Sequence, residues 1–398
     1  RGLERPCFEQ KEQKGTADAV TSANVQDIEG DVLICNGDHP LLTEKDIIAF
    51  IREFRDEKLD LAIVSAELEN PGSLGRIIRH HGNLKAIVEV SEASADTLKV
   101  KEINTGIYLM KAELLKDLLP KVKNNNSKGE YYLTDILEMA LKNEDKVGII
   151  KGSSNVAHGV NTQKELAHAT KEIFLRKADE LMEAGVIVID PSTVYIEDGV
   201  KVGSGSVVYP NVFLRGKTTV GSFCVLESNV FLSEATVGDS VQIRAGTYIE
   251  KSQVDNKVTL GPYARLRPDT HIHEEAHIGN FVELKKTNFG KRSKAGHLAY
   301  LGDAEIGEDV NIGCGAITVN YSADKQKYKT IIGNRAFIGS DTSLIAPIIV
   351  GDDAITGAGS VITKPVPDKA LAVARGKQRN IENYEPGKKS STETEPGT

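Results

Sequence analysis

The chain has 398 residues, a length typical of two or three domains. Its 49 lysine and arginine residues against 57 aspartate and glutamate residues give a formal net charge of −8. That acidic balance disfavours binding to nucleic acid or to an anionic membrane, and no apolar run approaches the ~20 residues that a membrane span needs. The cysteines are too scattered for a disulfide framework or a zinc motif, so we expect a reducing compartment such as the cytoplasm.

Strands alternate with helices in the first 161 residues, which predicts an α/β domain with a mainly parallel sheet. Thr43 followed by Asp46 resembles a capping box, so we expect a helix to begin there. The other segments with a strand or helix pattern are the strands 31–35, 61–65 and 102–110 and the helix 133–143.

Two short polar segments in this half could carry chemistry. Asn36-Gly37-Asp38-His39-Pro40 follows a predicted strand, at the sheet edge where open α/β proteins bind ligands. Asp38 is there either a Mg²⁺ ligand beside a phosphate or part of a plain turn. The segment Gln13-Lys14-Gly15-Thr16-Ala17 is either a glycine turn or a loop at the edge of a nucleotide site. The residue pattern alone leaves both alternatives open.

A connecting segment and a tail flank the second half of the chain. Residues 162–185 are rich in Ala, Glu, Lys and Leu, which predicts one long helix with Gly185 as its C-cap. Residues 376–398 are polar and end in Ser, Thr, Glu, Pro and Gly, so we expect a disordered tail.

Aliphatic residues recur every six positions from Ile196 to Ile362, with occasional one-residue slips. Period six is typical of a parallel β-helix of hexapeptide repeats, in which three hexapeptides make a coil and about nine coils stack. A chance run in a β-sandwich is the alternative. Residues 319–329 break the period and predict a loop that leaves the β-helix. The predicted inward-facing residues are Ile196, Val202, Val208, Leu214, Val220, Leu226, Leu232, Val237, Ile243, Ile249, Val254, Leu260, Leu266, Ile272, Ile278, Leu284, Phe289, Ala295, Leu301, Ile306, Ile312, Ile332, Ile338, Leu344, Val350, Thr356 and Ile362.

Basic residues and a histidine lie at regular positions in this repeat. Arg267 and Lys285 are eighteen positions apart, which is one coil, so we expect the two cations to stack as an anion site. A solvated basic face is the alternative. His297 follows Lys285 by twelve positions and is either a general base near that site or a structural histidine.

Three further histidines, His271, His273 and His277, lie close together in the sequence. His271 and His277 occupy equivalent positions of the repeat, whereas His273 lies on the other side of the inward-facing Ile272. A zinc site across a subunit interface is one interpretation, and nothing else in the sequence supports it.

Several longer segments match one known family, whose members are the bacterial bifunctional N-acetylglucosamine-1-phosphate uridyltransferase / glucosamine-1-phosphate acetyltransferases. The chain resembles this family over nearly its whole length. The segments that carry the resemblance are Gly261-Pro262-Tyr263-Ala264-Arg265-Leu266-Arg267-Pro268, Gly279-Asn280-Phe281-Val282-Glu283-Leu284-Lys285-Lys286, Ser293-Lys294-Ala295-Gly296-His297-Leu298-Ala299-Tyr300, Gln13-Lys14-Gly15-Thr16, Leu74-Gly75-Arg76-Ile77 and Glu102-Ile103-Asn104-Thr105-Gly106.

The resemblance implies a Rossmann-like uridyltransferase domain over residues 1–161, a linker helix over 162–185 and a left-handed parallel β-helix with acetyltransferase activity over 186–375. It also implies a homotrimer in which neighbouring subunits complete the acetyl-transfer sites. The substrates it implies are small molecules: glucosamine 1-phosphate, acetyl-CoA and UTP.

For acetyl transfer, the resemblance implies that His297 is the general base and that Glu283 orients it. It implies that the backbone N–H of Cys314 meets the thioester carbonyl. The implied sugar-phosphate ligands are Arg267, Lys285, Tyr300 and Lys327, with Asn311 near the sugar, and the other implied acetyl-CoA contacts are Asn320, Tyr321, Ser340, Ala358 and Arg375.

For the first domain, the resemblance implies Mg²⁺-dependent uridylyl transfer from UTP to N-acetylglucosamine 1-phosphate, with Asp38 and Asn161 as metal ligands. Family members have roughly sixty residues before the Gln13 segment, including a loop that cradles the phosphates, whereas twelve precede it here. We therefore expect this chain to transfer acetyl groups but to transfer uridylyl groups poorly. The implied nucleotide-sugar contacts are Gln10, Gly15, Thr16, Gly75, Glu89, Asn104 and Asn161.

Two other functions compete with the bifunctional transferase. One is a zinc-dependent β-helix hydratase that uses the histidine cluster. The other is a non-catalytic trimeric scaffold, against which the combination of His297, Lys285 and Arg267 argues.

Overall fold

The computed structural model describes residues 6–126, 129–382, 384 and 386. The chain folds into two compact units, residues 1–173 and residues 174–398. Most of the predicted disordered tail lies outside the described residues. Among the described residues, no helix combines the length and the apolar character required to cross a bilayer.

The first unit is an α/β unit built around one six-stranded sheet, as predicted. Its helices are α1 Thr16–Ser22, α2 Glu44–Asp56, α3 Ala112–Leu118 and α4 Asp135–Lys142, its strands are β1 Asp31–Ile34, β2 Leu61–Glu67, β3 Arg76–His80, β4 Asn83–Val88, β5 Glu102–Lys111 and β6 Val147–Lys151, and short 3₁₀ helices lie at Val25–Asp27, Val90–Glu92, Thr97–Lys99, Leu119–Lys121 and Ser154–Ala157.

The prediction of a mainly parallel sheet is wrong. The strand order is β4-β3-β5-β2-β6, with β1 paired to β5, and among the described residues β2 and β6 form the one parallel pair. A two-residue turn at His81 and Gly82, with φ of 48° and 85°, joins β3 to β4. Turns with two positive φ values match the twist of antiparallel strands. The turn lacks the usual Asn-Gly sequence, so the hairpin was not evident from the residues.

The predicted capping box at the start of α2 is confirmed. The Thr43 backbone N–H donates to the Asp46 carboxylate at 3.0 Å, and the Asp46 N–H donates to the Thr43 hydroxyl at 3.1 Å. Two N–H groups that the helix itself leaves unpaired are thereby satisfied. The buried face of α2 places Phe50 and Phe54 against β2 residues such as Val64.

The predicted connecting helix is present as α5, Gln163–Glu183. Gly185 has a φ of +90° and donates its N–H to the Met182 carbonyl at 3.0 Å, while Val186 donates to the Leu181 carbonyl at 3.0 Å. A positive φ at this position is characteristic of a glycine that ends a helix.

The second unit continues as a parallel β-helix, which confirms the predicted fold class. A short 3₁₀ helix lies at Pro191–Thr193, and the strands, which form an 11-stranded and a 17-stranded parallel sheet, are β7 Ile187–Val188, β8 Tyr195–Ile196, β9 Lys201–Val202, β10 Val207–Val208, β11 Phe213–Arg215, β12 Thr219–Val220, β13 Val225–Leu226, β14 Phe231–Ser233, β15 Thr236–Val237, β16 Gln242–Ile243, β17 Tyr248–Glu250, β18 Ser252–Val254, β19 Thr259–Leu260, β20 Arg265–Leu266, β21 Thr270–Ile272, β22 His277–Asn280, β23 Glu283–Phe289, β24 Lys294–His297, β25 Tyr300–Ile306, β26 Asn311–Ile312, β27 Ile317–Val319, β28 Thr330–Ile332, β29 Phe337–Ile338, β30 Ser343–Ile345, β31 Ile348–Val350, β32 Ile355–Thr356, β33 Val361–Ile362 and β34 Leu371–Ala372.

The register between coils explains the period of six and its slips. Leu226 pairs with Val208, eighteen residues earlier, and with Ile243, seventeen residues later. A one-residue slip in the sequence therefore shortens one coil without moving its strands out of register. All of the predicted inward-facing residues are buried. Their side chains stack on those of the adjoining coils and form one continuous apolar core.

The corners between strands use the left-handed backbone region at residues other than glycine. Lys251 has a φ of 44° and Asp269 one of 64°. The Lys251 N–H donates to the Ser233 carbonyl at 2.9 Å, and the Asp269 N–H donates to the Lys251 carbonyl at 3.1 Å. These bonds to the preceding coil offset the conformational cost of a positive φ.

The predicted loop over residues 319–329 is also present. It leaves after β27 and returns at β28, and a short antiparallel bridge joins Tyr321 to Lys327. The Asn320 carbonyl accepts a hydrogen bond from the Tyr328 N–H at 2.8 Å. Both ends of the loop are therefore held against the rigid coils.

We expect the inward stack to supply most of the stability of the β-helix. Ile249→Ala removes a fully buried side chain between two coils and should lower the free energy of unfolding by about 2–5 kcal/mol. Ile189→Ala is the matched control, because the Ile189 side chain is 53% exposed. Urea unfolding followed by circular dichroism measures both, and equal losses in the two variants would contradict the prediction.

Candidate active sites

A cleft of about 1010 Å³ opens in the first unit, beside β1, the middle of β5 and the segment that precedes β3. Polar and apolar residues both line it. The predicted site residues among its lining are Thr16, Asp38, Gly75, Glu89, Asn104 and Asn161.

Asn104 and Tyr108 form a fixed polar part of this cleft. The Asn104 amide donates to the Tyr108 hydroxyl at 2.8 Å, and its carbonyl oxygen accepts from the Gly106 N–H at 3.0 Å. Burial raises the pKa of Tyr108 to about 12, so its hydroxyl stays protonated at neutral pH. Both side chains are buried, and their mutual bond holds Asn104 in one orientation. Tyr108 was not among the residues predicted from the sequence, although it lies four residues after Asn104 on the same strand.

Gly75 lies next to Asn104, because the Asn104 N–H donates to the Gly75 carbonyl at 2.9 Å. A Cβ at Gly75 would lie 3.2 Å from a carboxylate oxygen of Glu89 and 3.1 Å from the Ile87 side chain. The absence of a side chain at Gly75 thus leaves room for the Glu89 carboxylate at the cleft.

Asp38 and Asn161 are brought together by the backbone. The Val160 N–H donates to the Asp38 carbonyl at 2.9 Å, which places Asn161 beside the segment that follows β1. A Cβ at Gly159 would lie 3.3 Å from the Asp38 carboxylate, so glycine keeps the space beside that carboxylate open. A half-exposed carboxylate and an amide oxygen are donors that Mg²⁺ accepts, and the residues present therefore fit the metal.

His39 adds a polar group that the sequence analysis left without a role. Its side chain is 7% exposed and its Nε2 lies 3.7 Å from an Asp38 carboxylate oxygen. Its Nδ1 has no hydrogen-bond partner among the described residues. Glu165, also not identified from the sequence, accepts the Asn161 N–H at 2.8 Å and lines the same cleft.

Gln10 and Gly15 do not line the cleft. The Gln10 amide donates to the Asp18 carboxylate at 2.8 Å and to the Gly15 carbonyl at 3.3 Å. Gly15 has a φ of +116°, and a Cβ there would lie 2.5 Å from the Tyr131 carbonyl. Both residues therefore support the start of α1 in this structure. Thr16 follows directly and does line the cleft.

Three cations of the β-helix form a second cluster. Arg267 and Lys285 occupy equivalent positions of successive coils, because Arg265 pairs with Glu283 and the Arg267 N–H donates to the Leu284 carbonyl at 2.9 Å. The ammonium group of Lys327, within hydrogen-bond reach, lowers the pKa of Lys285, and partial burial and Arg267 lower it further. Positive charges this close favour the binding of an anion between them.

Tyr300 lies one coil after Glu283 and pairs with it in register. A Cβ at Gly302 would lie 2.5 Å from the Tyr300 hydroxyl and 2.8 Å from the Asn320 amide nitrogen. The two polar groups thus meet over Gly302, where a Cβ would require one of the two side chains to move. The Asn320 amide also donates to the Asp303 carboxylate, a residue that the sequence analysis did not identify.

Glu283 and His297 have other partners within the described chain, and an orienting role for Glu283 stays a prediction. Glu283 accepts a hydrogen bond from the Arg267 guanidinium at 2.9 Å, whereas His297 Nδ1 lies 2.7 Å from the Asn280 amide oxygen. Because an amide oxygen can only accept, Nδ1 carries the proton and Nε2 keeps a lone pair. Asn280 and His297 pair directly between adjacent coils. Their spacing of seventeen residues, one coil, was the sequence signal for this contact.

The predicted acetyl-CoA contacts follow one edge of the β-helix. The Asp341 N–H donates to the Cys314 carbonyl at 2.7 Å, the Gly359 N–H donates to the Ser340 carbonyl at 2.8 Å, and the Arg375 guanidinium donates to the Ala358 carbonyl at 3.0 Å. Cys314, Ser340 and Ala358 therefore lie at successive corners. Asn320 is buried and Tyr321 is 59% exposed at the start of the loop.

Asn311 lies apart from the cation cluster within the chain. It pairs with Lys294 and Phe337 in the 11-stranded sheet, whereas Arg267 and Lys285 adjoin β20 and β23 of the 17-stranded sheet. A role near the sugar is therefore not explained by the contacts within one chain.

The histidine cluster differs from the expected one. His271 and His273 both lie against Asp255, with their ring centroids 4.0 Å apart. His277 lies elsewhere, and burial, followed by Arg244 and Lys294, lowers its pKa. The grouping of His271 with His277 is therefore wrong. Residues that flank one inward-facing residue share the outer face of a strand, which is why His271 and His273 meet around Ile272.

Comparison with known proteins agrees with both halves of the chain. The family model described as nucleotidyl transferase matches residues 2–159, and the model described as bacterial transferase hexapeptide (six repeats) matches residues 329–364. "Bifunctional protein GlmU" of Bdellovibrio bacteriovorus is 61% identical over 378 residues, which cover 95% of this chain and 82% of that protein. The proteins of the same name from Carboxydothermus hydrogenoformans and Alkaliphilus metalliredigens are 42% and 43% identical, each over 94% of this chain and over 84% and 82% of their own length. At this identity over nearly the whole chain, the protein belongs to the GlmU family of bifunctional transferases.

Proposed function

We propose that this enzyme transfers an acetyl group from acetyl-CoA to glucosamine 1-phosphate in its β-helix. We further propose that its first unit carries the site for transfer of a uridylyl group from UTP to N-acetylglucosamine 1-phosphate, an activity that we expect to be slower in this chain than acetyl transfer. The product, UDP-N-acetylglucosamine, is a precursor for cell-wall synthesis.

The observation that carries the acetyl-transfer proposal is a cluster of three cations: Arg267 and Lys285 on successive coils, and Lys327 on the loop between β27 and β28. Among the described residues, the acidic groups beside this cluster are Glu283, which pairs with Arg267, and Asp303, which lies near Lys285. A sugar phosphate supplies the missing negative charge.

His297 is the general base in this proposal. The ammonium group of glucosamine 1-phosphate loses a proton to His297 Nε2, whose lone pair is available because Nδ1 donates to Asn280. The resulting amine attacks the thioester carbonyl, and the oxyanion accepts a hydrogen bond from the Cys314 backbone N–H. Collapse of the tetrahedral intermediate breaks the C–S bond and expels the CoA thiolate, which takes the proton from His297. The attacking nitrogen loses its second excess proton to water, which leaves the neutral amide.

Asp38 and Asn161 would hold Mg²⁺ in the cleft of the first unit. When bound, the metal neutralises negative charge on the triphosphate of UTP. Asn104, held by Tyr108, and Glu89, beside Gly75, would position the sugar and the nucleoside through hydrogen bonds. Inclusion of the substrate in a cleft of this volume also limits the access of water.

We also propose a cytoplasmic homotrimer. The last coils expose several large apolar side chains, as expected of a surface that a second subunit covers. These side chains are Ile317, Ile331, Phe337, Ile349, Ile355 and Leu371. Membership of a family of bifunctional transferases disfavours both the zinc-dependent hydratase and the non-catalytic scaffold.

His297→Ala should lower acetyl transfer by about 10²–10⁴-fold, the usual contribution of a positioned general base. The Kd of glucosamine 1-phosphate should change little, because the cations remain. A CoA-release assay measures the rate, and His158→Ala, a histidine of the first unit, is the control for the loss of an imidazole. A His297→Ala rate equal to that of the unaltered enzyme would mean that another group accepts the proton.

Arg267→Ala and Lys285→Ala should each raise the KM for glucosamine 1-phosphate by about tenfold or more, since each removes a charge-assisted contact to the phosphate. The KM for acetyl-CoA should be unchanged. Arg215→Ala is the matched control, because Arg215 makes a similar ion pair with Glu197 at 2.9 Å on the same sheet. A KM for the sugar phosphate that matches the control would rule out the anion site.

Asp38→Asn should abolish Mg²⁺-dependent release of pyrophosphate from UTP and N-acetylglucosamine 1-phosphate while acetyl transfer continues at its normal rate. The reason is that the variant removes the one charged donor of the proposed metal site. Asp56→Asn, at the end of α2, is the control. Both activities are assayed on the same preparation, and loss of both together would indicate misfolding rather than a role for Asp38.

A further inference from the structure

A group of metal-ligating side chains lies on the outer surface of the β-helix, apart from the residues assigned to acetyl transfer. One ligand atom from each of Asp255, His271 and His273 lies within 4.8 Å of the other two. His271 Nε2 is 2.8 Å from one carboxylate oxygen of Asp255, and His273 Nδ1 is 3.2 Å from the other. The two imidazoles therefore converge on a single carboxylate.

The backbone fixes this arrangement. His271 and His273 lie on either side of Ile272, the last residue of β21, and Asp255 directly follows Val254, the last residue of β18 on the preceding coil. Val254 and Ile272 pair in register and are both buried. Because the inward-facing residues are locked in the core, the three outward-facing side chains start from Cα positions that cannot shift independently.

The hydrogen bonds leave His273 Nδ1 as an acceptor that faces another acceptor, an oxygen of Asp255. His273 Nε2 lies 2.6 Å from the Asn288 amide oxygen, which can only accept, so Nε2 carries the proton. In the neutral imidazole, Nδ1 then directs a lone pair at an oxygen of Asp255. Two acceptors at 3.2 Å repel each other unless a proton or a metal ion lies between them.

The Asp255 carboxylate is contacted by two nitrogen groups at one oxygen. Its Oδ1 lies 2.8 Å from His271 Nε2 and accepts a hydrogen bond from the Gln253 amide at 3.1 Å. The nearby Glu274 carboxylate does not compete for the position, because it pairs with Lys291 and Lys257. The group thus offers one negative charge and two imidazole nitrogens.

We propose that Asp255, His271 and His273 bind one divalent transition-metal ion of the zinc class. Two imidazole nitrogens and one carboxylate oxygen are ligands typical of Zn²⁺, whereas Mg²⁺ prefers an all-oxygen site. The hydrogen bond from His273 to Asn288 is the outer contact that usually fixes the tautomer of a metal-bound histidine. When the metal binds, the proton that His271 Nε2 shares with Asp255 moves to Nδ1. The side chains are 33%, 33% and 29% exposed, so water reaches the remaining coordination position.

Metal binding here would join two neighbouring coils. The ligands come from β18 and β21, which are consecutive strands of one face, and Asn288 extends the contact to β23. An ion that binds the folded coils and not the unfolded chain stabilises the β-helix in proportion to its concentration.

The test uses the full chain, stripped with a chelator and dialysed with excess Mg²⁺ to saturate oxygen-ligand sites. Zn²⁺ or Co²⁺ is then added and unbound metal is removed. We expect one equivalent of metal per chain, a visible Co²⁺ absorption band of a four- or five-coordinate ion, and a higher midpoint of thermal unfolding. Less than one-tenth of an equivalent after dialysis would overturn the proposal and would mean that a second proton on His273, rather than a metal, satisfies the group.

Three variants locate the bound ion. His271→Ala and His273→Ala should each lose the bound equivalent, and Asn288→Ala should weaken affinity about 10–100-fold, as expected for the loss of an outer hydrogen-bond partner. His277→Ala, a histidine of the adjacent strand β22, is the matched control and should retain the metal. Equal retention by His271→Ala, His273→Ala and His277→Ala would place the ion elsewhere and overturn the proposal.

A measurement on the unaltered protein covers the case in which a histidine variant fails to fold. Diethylpyrocarbonate acylates accessible imidazole nitrogens, and mass spectrometry identifies the modified residues. Zn²⁺ should protect His271 and His273 severalfold and leave the exposed His80 and His81 unprotected. Uniform modification with and without Zn²⁺ would contradict the proposed site.

Discussion

The stacking of one inward-facing aliphatic residue on the next is the interaction on which the second unit depends. Each coil buries its apolar face only against its neighbours, so the strands stay in place only while these side chains remain aligned. The same alignment sets the positions of the outward-facing residues. Val208, Leu226 and Ile243 stack inside, and the residues that flank them are thereby brought into rows on the surface.

Those rows are where the chemistry lies. Arg267 and Lys285 adjoin because Leu266 and Leu284 pair, and His297 meets Asn280 because Ala295 and Ile278 pair. A site made this way needs no local fold of its own, since each functional side chain is held by a ladder that extends well beyond it. In such a row, however, each outward-facing side chain has several neighbours with which it can form a hydrogen bond or an ion pair.

The sequence predicts many of the buried residues of the β-helix, but it does not predict which neighbours the outward-facing side chains contact. Every residue that the period of six predicted to face inward is buried. The same core also contains residues two positions earlier in the period, such as Val212 and Val230, which the period did not predict. Glu283 was expected at His297, but its carboxylate accepts a hydrogen bond from the Arg267 guanidinium, and His297 Nδ1 lies against the Asn280 amide oxygen. The direction of the strands in the first sheet was also missed, because the His81-Gly82 turn carries no recognisable hairpin sequence.

The site of the first unit is formed by residues that no repeat relates, and this explains why their positions were harder to predict from the sequence. Its cleft collects residues from β1, from the middle of β5 and from the segments before β3 and α5, which lie far apart in the chain. No repeat relates Asp38 to Asn161. They lie near each other because the Val160 backbone N–H donates a hydrogen bond to the Asp38 carbonyl. Such a site depends on the closure of several loops at once, whereas the sites of the β-helix depend on the coil-to-coil register alone. A substitution in a loop of the first unit should therefore disturb its whole cleft, while an outward-facing substitution in the β-helix should stay local to one row.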